Sequence, residues 1–340
     1  MAEERVSVAI ATYNGGKYLE EQLMSILHQT QQVNEIVISD DGSTDNTLVI
    51  AHKIAERPEA QNIRFVFLQD NPRKGSGGNF DWAISHCSGE YIFICGQDDV
   101  WIPSKVETVL EVFRAHTDAL CVLHNARIID EKGIETNKPF LQTYGERALL
   151  NYCGDKRITK LGGNLLEISV SNTLVCGIAI TIKNTIAKEL SPIPQFAEDQ
   201  WIEFVSIAFD GCYFLNEELA YYRKHAENTS GKRASGFERV LRIITFMKNI
   251  NKRRTSYLYG VEYPTFCLRK LELLGFQESA AYEVASKINE IGKVKNRAFE
   301  QGGIKGALIL FHMYRHNLRY KKSGFWPFFF DALFIMSIKV

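Results

Sequence analysis

Proline is scarce in this chain, with 8 among 340 residues, and the seven cysteines form neither a CxxC pair nor a Cys/His ligand spacing. Cys87, Cys95, Cys121, Cys153, Cys176, Cys212 and Cys267 lie scattered, mostly among apolar neighbours. An odd, unpatterned set excludes a disulfide framework and a zinc site, and suits reduced thiols. No apolar run reaches the roughly 20 uninterrupted residues of a membrane-spanning helix. There is no internal repeat and no low-complexity linker. Two phosphate-binding fingerprints are missing as well. Neither a P-loop GK[ST] nor a GxGxxG occurs, which counts against the pockets those motifs build. The opening MAEERVSVAIAT is acidic and runs directly into an apolar strand, so no signal peptide is expected and the cytoplasm is the expected compartment.

What is present is ordinary in bulk and uneven in detail. Hydrophobic residues make up 45% and charged ones 24%, enough for a sizeable core in one large domain or a domain with an appendage. The net charge of zero conceals an asymmetry. Residues 1–222 carry 18 Lys and Arg against 31 Asp and Glu, whereas residues 223–340 carry 22 against 9. The basic part should prefer an anionic partner.

Up to about residue 125, short β-rich runs alternate with helical periodicity. VSVAIAT, EIVIS, IRFVFLQ and YIFIC read as strands; YLEEQLMSILHQ, TLVIAHKIAER and NFDWAISHC read as helices, and another helix follows Pro103. This alternation predicts an α/β fold with a parallel sheet flanked by helices. Between about 120 and 225, LCVLHNARIID and TLVCGIAITI read as strands, QWIEFVSIAF as a helix and CYFLNEELAYYRKH as a closing pair of strands. The remainder is helical and basic: RVLRIITFMKNINKRR, a stretch around Leu268–Gly292, and a final run from KGALILF.

Ligands of such sheets bind at the carboxyl ends of the strands. Two acidic clusters fall there. SDDGSTDNT, with Asp40 and Asp41, can accept hydrogen bonds from a ribose or base, or can be an Asp-Gly turn with Ser43 or Thr44 capping a helix. QDDVW ends the fourth strand on Asp98 and Asp99, two like charges that repel unless a cation or strong donors lie between them. A hard divalent ion bridging to a diphosphate fits that pair; a solvated turn with Asp99 capping the next helix also fits. Thr12, Tyr13 and Asn14 end the first strand, followed by two glycines that bring the backbone close to a nucleotide or simply turn the chain. Glu198 and Asp199 precede an amphipathic helix, where a carboxylate is favoured by the helix dipole or serves as a general base. YYRKHAENTSG gathers Arg223, Lys224, His225 and Asn228 as a phosphate clamp or a surface turn.

In this order, over about residues 5–230, the clusters resemble family 2 glycosyltransferases of the GT-A fold. QDDVW and YRKHAENTSG are most similar to the bacterial rhamnosyltransferase-like enzymes of O-antigen and capsule assembly. The resemblance implies a Rossmann-like, mostly parallel sheet in a catalytic domain over 1–230, its nucleotide-sugar half spanning 1–125 and its acceptor half 126–230. A helical basic extension over 231–340 would follow, for membrane association or dimerisation. It further implies nucleoside contacts at Thr12, Tyr13, Asn14, Asp40 and Asp41. The nucleotide side would be lined by Gly75–Asn79, including Gly77 and Asn79, and by Gln97. Mg²⁺ or Mn²⁺ would sit at Asp98 with Asp99, and His225 and Arg223 would reach the metal or diphosphate. Asp199, beside Glu198, would be the catalytic base of an inverting transfer. The implied donor is a dTDP- or UDP-sugar, with dTDP-rhamnose foremost, and the implied acceptor polyprenyl-linked or an oligosaccharide at the inner face of the cytoplasmic membrane. No nucleic acid is implied. One departure stands out: where the family often has Asp, two positions before Asp98, this chain has Gly96. That substitution motivates the alternative of a non-catalytic sugar-nucleotide-binding relative. A nucleotidyltransferase or NAD-type enzyme is disfavoured by the missing glycine-rich fingerprint.

Overall fold

Val6–Thr12 form β1, whose small and branched residues are buried on both faces. Such a strand needs partners on both edges and helices above and below. It has them. In the computed structural model, described over residues 4–69, 74–141, 144–194, 197–225, 228, 250–301 and 303–316, β1 pairs in parallel with β2 (Glu35–Asp40) and β4 (Tyr91–Cys95). β3 (Arg64–Leu68) extends the sheet beyond β2. The helices α1 (Leu19–Leu27), α2 (Thr47–Ala55) and α3 (Gly75–Ser85) connect these strands. α1 buries Leu19, Leu23 and Ile26, at helical spacing, in the same cluster as Val8 and Ile10. Each such side chain contributes about 1.5–3 kcal/mol by leaving water.

After β4 come a two-residue β5 (Val100–Trp101), α4 (Lys105–Ala115) and β6 (Cys121–Ile129). β7 (Glu135–Pro139), α5 (Tyr144–Cys153), β8 (Ile158–Lys160) and α6 (Asn164–Ser169) form an excursion before β9 (Ile180–Lys183) returns to the sheet. α7 (Ala187–Leu190), α8 (Glu198–Ala208) and β10 (Cys212–Arg223) complete this part. The strand order is β3-β2-β1-β4-β9-β6-β10-β5, with β7 on β6 and β8 on β10. β9 runs antiparallel to both β4 and β6, and β5 antiparallel to β10. The other strands of that path point one way, so the sheet is mostly parallel, as expected. The chain leaves β1 towards β2 and β3 and then returns to β4 on the opposite edge. A crevice therefore opens between the carboxyl ends of β1 and β4.

Several boundaries differ from the sequence expectation. CYFLNEELAYYR is one twelve-residue strand, β10, whose register against β6 slips near Glu218. The polar NEE that looked like a turn is absorbed by that irregularity. TLVCGIAITI becomes a strand only from Ile180, because Gly177–Ala179 close a 3₁₀ turn. The helix after Pro103 is flanked by Ser104, not capped by Asp99, and α2 is preceded by Asn46, not by Ser43 or Thr44.

The chain divides into two compact units, Met1–Glu227 and Asn228–Val340. In the second, α9 (Ile250–Leu273) and α10 (Ala280–Gln301) are separate helices, so the helical stretch read around Leu268–Gly292 is broken; Gly275, at φ +77°, stands at the break. α11 (Gly303–His316) follows. Pro264 inside α9 removes the N–H that Gly260 would otherwise receive. Gly292 of α10 packs against that carbonyl so closely that a Cβ there would lie 2.0 Å from the Gly260 oxygen. The RVLRIITFMKN segment and the end of the final run, from residue 317 onward, lie outside the described residues. Among the described residues no helix is long and apolar enough to cross a membrane.

Candidate active site

The crevice is built by hydrogen bonds that fix four turns to one another. At the end of β1, Thr12 Oγ1 donates to Asp40 Oδ1 at 2.8 Å. Asp40 also accepts the Ser43 N–H at 2.7 Å and the Ser43 hydroxyl at 2.6 Å, so it organises its own turn. Asp41 reaches the other way. Its two oxygens accept the N–H groups of Lys74 and Gly75, at 2.6 and 3.0 Å, which anchors the start of α3. Gly75 adopts φ +71°, a conformation that favours glycine. Within α3, Gly77 and Asn79 are buried, and Asn79 Nδ2 donates to the Thr12 carbonyl at 3.1 Å. Gln97 pairs both ends of its amide with the Tyr13 backbone, at 2.8 and 3.0 Å. Asn14, at φ +49°, takes the Thr44 N–H on its side-chain oxygen. Tyr13 is left 39% exposed at the rim. The residues expected near a nucleoside, Thr12, Tyr13, Asn14, Asp40, Asp41, Gly77, Asn79 and Gln97, thus form one connected group.

On the other side of Gln97, a separation of 127 positions along the chain is bridged where His225 Nε2 meets Asp98 Oδ2 at 2.7 Å. The His225 ring packs 4.8 Å from that of Tyr18. The other members of the expected metal and diphosphate set lie elsewhere. Asp99 turns into the interior, 4% exposed, and accepts the Arg223 N–H at 3.0 Å. Burial, and then the charge of Asp98, push its carboxyl well above the usual carboxylate range. Arg223, expected at the diphosphate, is 1% exposed. Its Nε donates to the Asp98 carbonyl at 2.8 Å and its Nη2 pairs with Glu21 at 2.6 Å. It is a strut beneath the Asp98 turn. Among the described residues no group of three or more His, Cys, Asp or Glu is placed to hold a metal. Asp98, with His225 against it, offers one carboxylate, which fits an ion of the Mg²⁺ kind, since that ion typically takes one or two carboxylates and completes its shell with phosphate oxygens and water.

Asp199 and Glu198 open α8. Asp199 is half-buried and receives the Gly177 N–H. Burial, followed by the charge of Glu198, raises its pKa to about 8. Glu198 is itself held by the Ser76 hydroxyl of α3 at 2.6 Å. Two supporting residues gave no signal in the sequence. Glu203, one turn along α8 and wholly buried, accepts the N–H groups of Leu174 and Val175 at 2.8 and 2.7 Å. Lys105, at the start of α4, is also wholly buried, and its ammonium donates to the Ile178 carbonyl at 2.6 Å. Only an unexpected charge in an amphipathic pattern could have flagged either. Further along the same unit, Arg147, Ala148, Asn151 and Tyr152 of α5 and Asn164 and Ile168 of α6 line an open cavity of about 400 Å³.

An open α/β sheet with polar turns gathered at its β1/β4 switch point defines a fold built to hold a ligand across those strand ends. Residues 7–170 match the family model of glycosyl transferase family 2. An uncharacterised glycosyltransferase of Nostoc sp. is 29% identical over 235 residues, covering 68% of each chain. The Escherichia coli UDP-Glc:alpha-D-GlcNAc-diphosphoundecaprenol beta-1,3-glucosyltransferase WfaP is 26% identical over 253 residues, covering 73% of this chain and 87% of its own. The fold is similar to that of S. aureus TarS 1-349 in complex with UDP-GlcNAc, with a TM-score of 0.54 at 16% identity, covering 98% and 89%. The match to glycosyl transferase family 2 is carried by residues 7–170, and the chain is a glycosyltransferase of the GT-A fold.

Proposed function

We propose that this enzyme moves a sugar from a nucleoside-diphosphate donor to an acceptor hydroxyl in surface polysaccharide synthesis, with inversion at the anomeric carbon. The observation that carries the proposal is Asp199, a half-buried carboxylate at the start of α8 that the Gly177 N–H orients beside Glu198; burial pushes its pKa up to about 8, a range that suits a general base. Asp199 takes the proton of the acceptor hydroxyl as its oxygen forms the new glycosidic bond. The bond from the anomeric carbon to the diphosphate breaks on the opposite side. The connected turns at Thr12–Asn14, Asp40–Asp41, Gly75–Asn79 and Gln97 hold the nucleoside. Asp98 and His225 would hold Mg²⁺ or Mn²⁺ together with the diphosphate, and the ion would neutralise the departing charge. Asp99 and Arg223 set the backbone of the Asp98 turn from below.

The donor is a UDP- or dTDP-linked sugar. The likeness to WfaP, whose name specifies a UDP-glucose donor and a diphosphoundecaprenol acceptor, supports a uridine nucleotide and a polyprenyl-linked acceptor. dTDP-rhamnose remains the candidate from the resemblance of QDDVW and YRKHAENTSG. The cavity between α5 and α6 suits the acceptor saccharide: Tyr152 offers a ring face, Asn151 and Asn164 offer amides, and Arg147 suits an acidic substituent or phosphate. Residues 1–230 carry catalysis. The basic region beyond them serves attachment to the anionic inner face of the cytoplasmic membrane, or dimerisation. On α11, Ile304 and Leu308 are exposed one turn apart, with Lys305 beside them, which supports attachment through an apolar surface.

The test is turnover of a panel of UDP- and dTDP-sugars with Mn²⁺, using wild type and Asp199→Asn. The substitution should lower turnover by ~10²–10⁴-fold while nucleotide binding persists. Nucleotide-sugar binding without transfer or hydrolysis by the wild type would instead establish the non-catalytic alternative that Gly96 raises. Equal turnover by Asp199→Asn would remove Asp199 from the mechanism.

A further inference from the structure

Lys105 occupies a position that elementary electrostatics disfavours twice. Its side chain is wholly buried, and a buried ammonium loses its hydration. It also stands in the first turn of α4, at the positive end of the helix dipole. Met or Leu would satisfy the apolar neighbours at no such disadvantage. Retaining a cation there calls for something that only a cation or donor supplies.

What it touches is specific. The ammonium donates to the Ile178 carbonyl and lies 4.0 Å from the centre of the Trp101 ring. The Asp99 carboxyl is close enough to favour its charge, and the lysine in turn disfavours the charged form of His124 on β6, whose ring burial already holds neutral. Burial lowers the lysine's pKa to about 7. Ile178 is the middle residue of the 3₁₀ turn Gly177–Ala179, and the Gly177 N–H binds Asp199. That contact is tight: a Cβ at Gly177 would lie 2.9 Å from Asp199 Oδ1. Immediately upstream, Glu203 holds Leu174 and Val175. The segment from Leu174 to Ile178 is therefore suspended between a buried carboxylate on α8 and a buried ammonium on α4.

We propose that Lys105 is a positioning residue that sets the Gly177 turn, and through it Asp199, relative to the Asp98–Asp99 turn. The inference rests on Asp199 being the base. It adds the means by which the acceptor side and the diphosphate side of the reaction keep their spacing: one side chain anchored near Asp99 and Trp101 grips the backbone next to the residue that orients Asp199. A displacement of about 1 Å at a reacting group lowers a rate by ~10²-fold.

The experiment compares Lys105→Met, Asp199→Asn and the double variant, measuring kcat, donor KM and UDP binding in the presence of Mn²⁺. Lys105→Met should lower kcat by about 10- to 100-fold, with donor KM and UDP affinity within about two-fold of wild type. In the Asp199→Asn background it should lower kcat no further, because the group it positions has lost its function. An unchanged kcat, an equal loss in both backgrounds, or a loss confined to donor KM would overturn the proposal. Lys105→Gln keeps a donor, on a stem one atom shorter, and covers the case in which Met fails to fold. It should show a smaller loss of the same pattern, and faster amide hydrogen exchange across 177–180. Unaltered exchange and kcat in that variant would equally reject the proposal. The base assignment fails separately, through wild-type turnover by Asp199→Asn alone.

Discussion

Replacing Glu198 with Gln should make the enzyme faster at neutral pH, an uncommon outcome for a substitution beside a catalytic carboxylate. With a pKa of about 8, Asp199 is ionised in only about a tenth of molecules at pH 7. Burial is the larger cause and the charge of Glu198 the second. A neighbouring charge moves a carboxyl by about 1–3 pH units. At the low end, Glu198→Gln would bring Asp199 to about half-ionised at pH 7, so kcat/KM there should rise about five-fold. Gln keeps the oxygen that accepts the Ser76 hydroxyl, so the local geometry is retained. The assay is kcat/KM against pH from 5.5 to 9.5 under fixed Mn²⁺. Wild type should climb through an acid limb near 8, and the variant through one displaced downward. Stability should move in the opposite sense. A carboxyl whose folded pKa is raised contributes stability that is fully present below its ordinary pKa of 3.8 and is lost progressively as pH rises from there to about 8. If kcat/KM instead fell to the level of Asp199→Asn, Glu198 would be the base. If the acid limb did not move, the two carboxylates would not be electrically coupled.

Asp98→Ala should abolish transfer and remove the Mn²⁺ dependence of UDP binding, followed by calorimetry; retention of that dependence would assign the metal elsewhere. Tyr152→Ala and Arg147→Ala should each raise acceptor KM about ten-fold with donor KM unchanged, and unaltered acceptor kinetics would exclude the α5–α6 cavity from acceptor binding. Gly292→Ala should destabilise the second unit by about 1–3 kcal/mol in a thermal melt, because the added methyl meets the Gly260 carbonyl, which is backbone and cannot swing aside. Flotation with anionic liposomes at low salt should recover the full chain and lose it as salt rises; absence of binding at low salt would leave dimerisation as the role of the basic region.

The strands β1, β2 and β4 were legible because two-sided burial leaves uninterrupted apolar runs, and the turns at their ends because carboxylates and glycines there have few other uses. β10 was misread for the opposite reason. Asn216 and Glu217 are half-buried and Glu218 exposed, so the polarity that marks a turn marks here the irregular, solvent-facing part of one strand. The partnership of Asp98 with His225 could be drawn only from the family resemblance, since local pattern carries no information across such a separation. Asp99 and Arg223 were expected at the crevice from the family resemblance, whereas both are buried beneath the Asp98 turn. Lys105 and Glu203 escaped notice because a charge in an amphipathic helix reads as solvent-facing until its surroundings are known.

β9 has a bearing on how the chain reaches this state. It is four residues long, yet among the described residues it alone joins the edge of β4 to β6, and it arrives only after the whole excursion through β7, α5, β8 and α6. During synthesis β1 to β4 can assemble from local crossovers, but β4 then waits with an open edge until residue 183 has emerged. An unpaired, apolar edge of that kind recruits other strands. A fragment ending at residue 170 should therefore aggregate even though it contains every nucleotide-side turn. Chaperone dependence of this protein should concentrate in the interval between the completion of β4 and the arrival of β9.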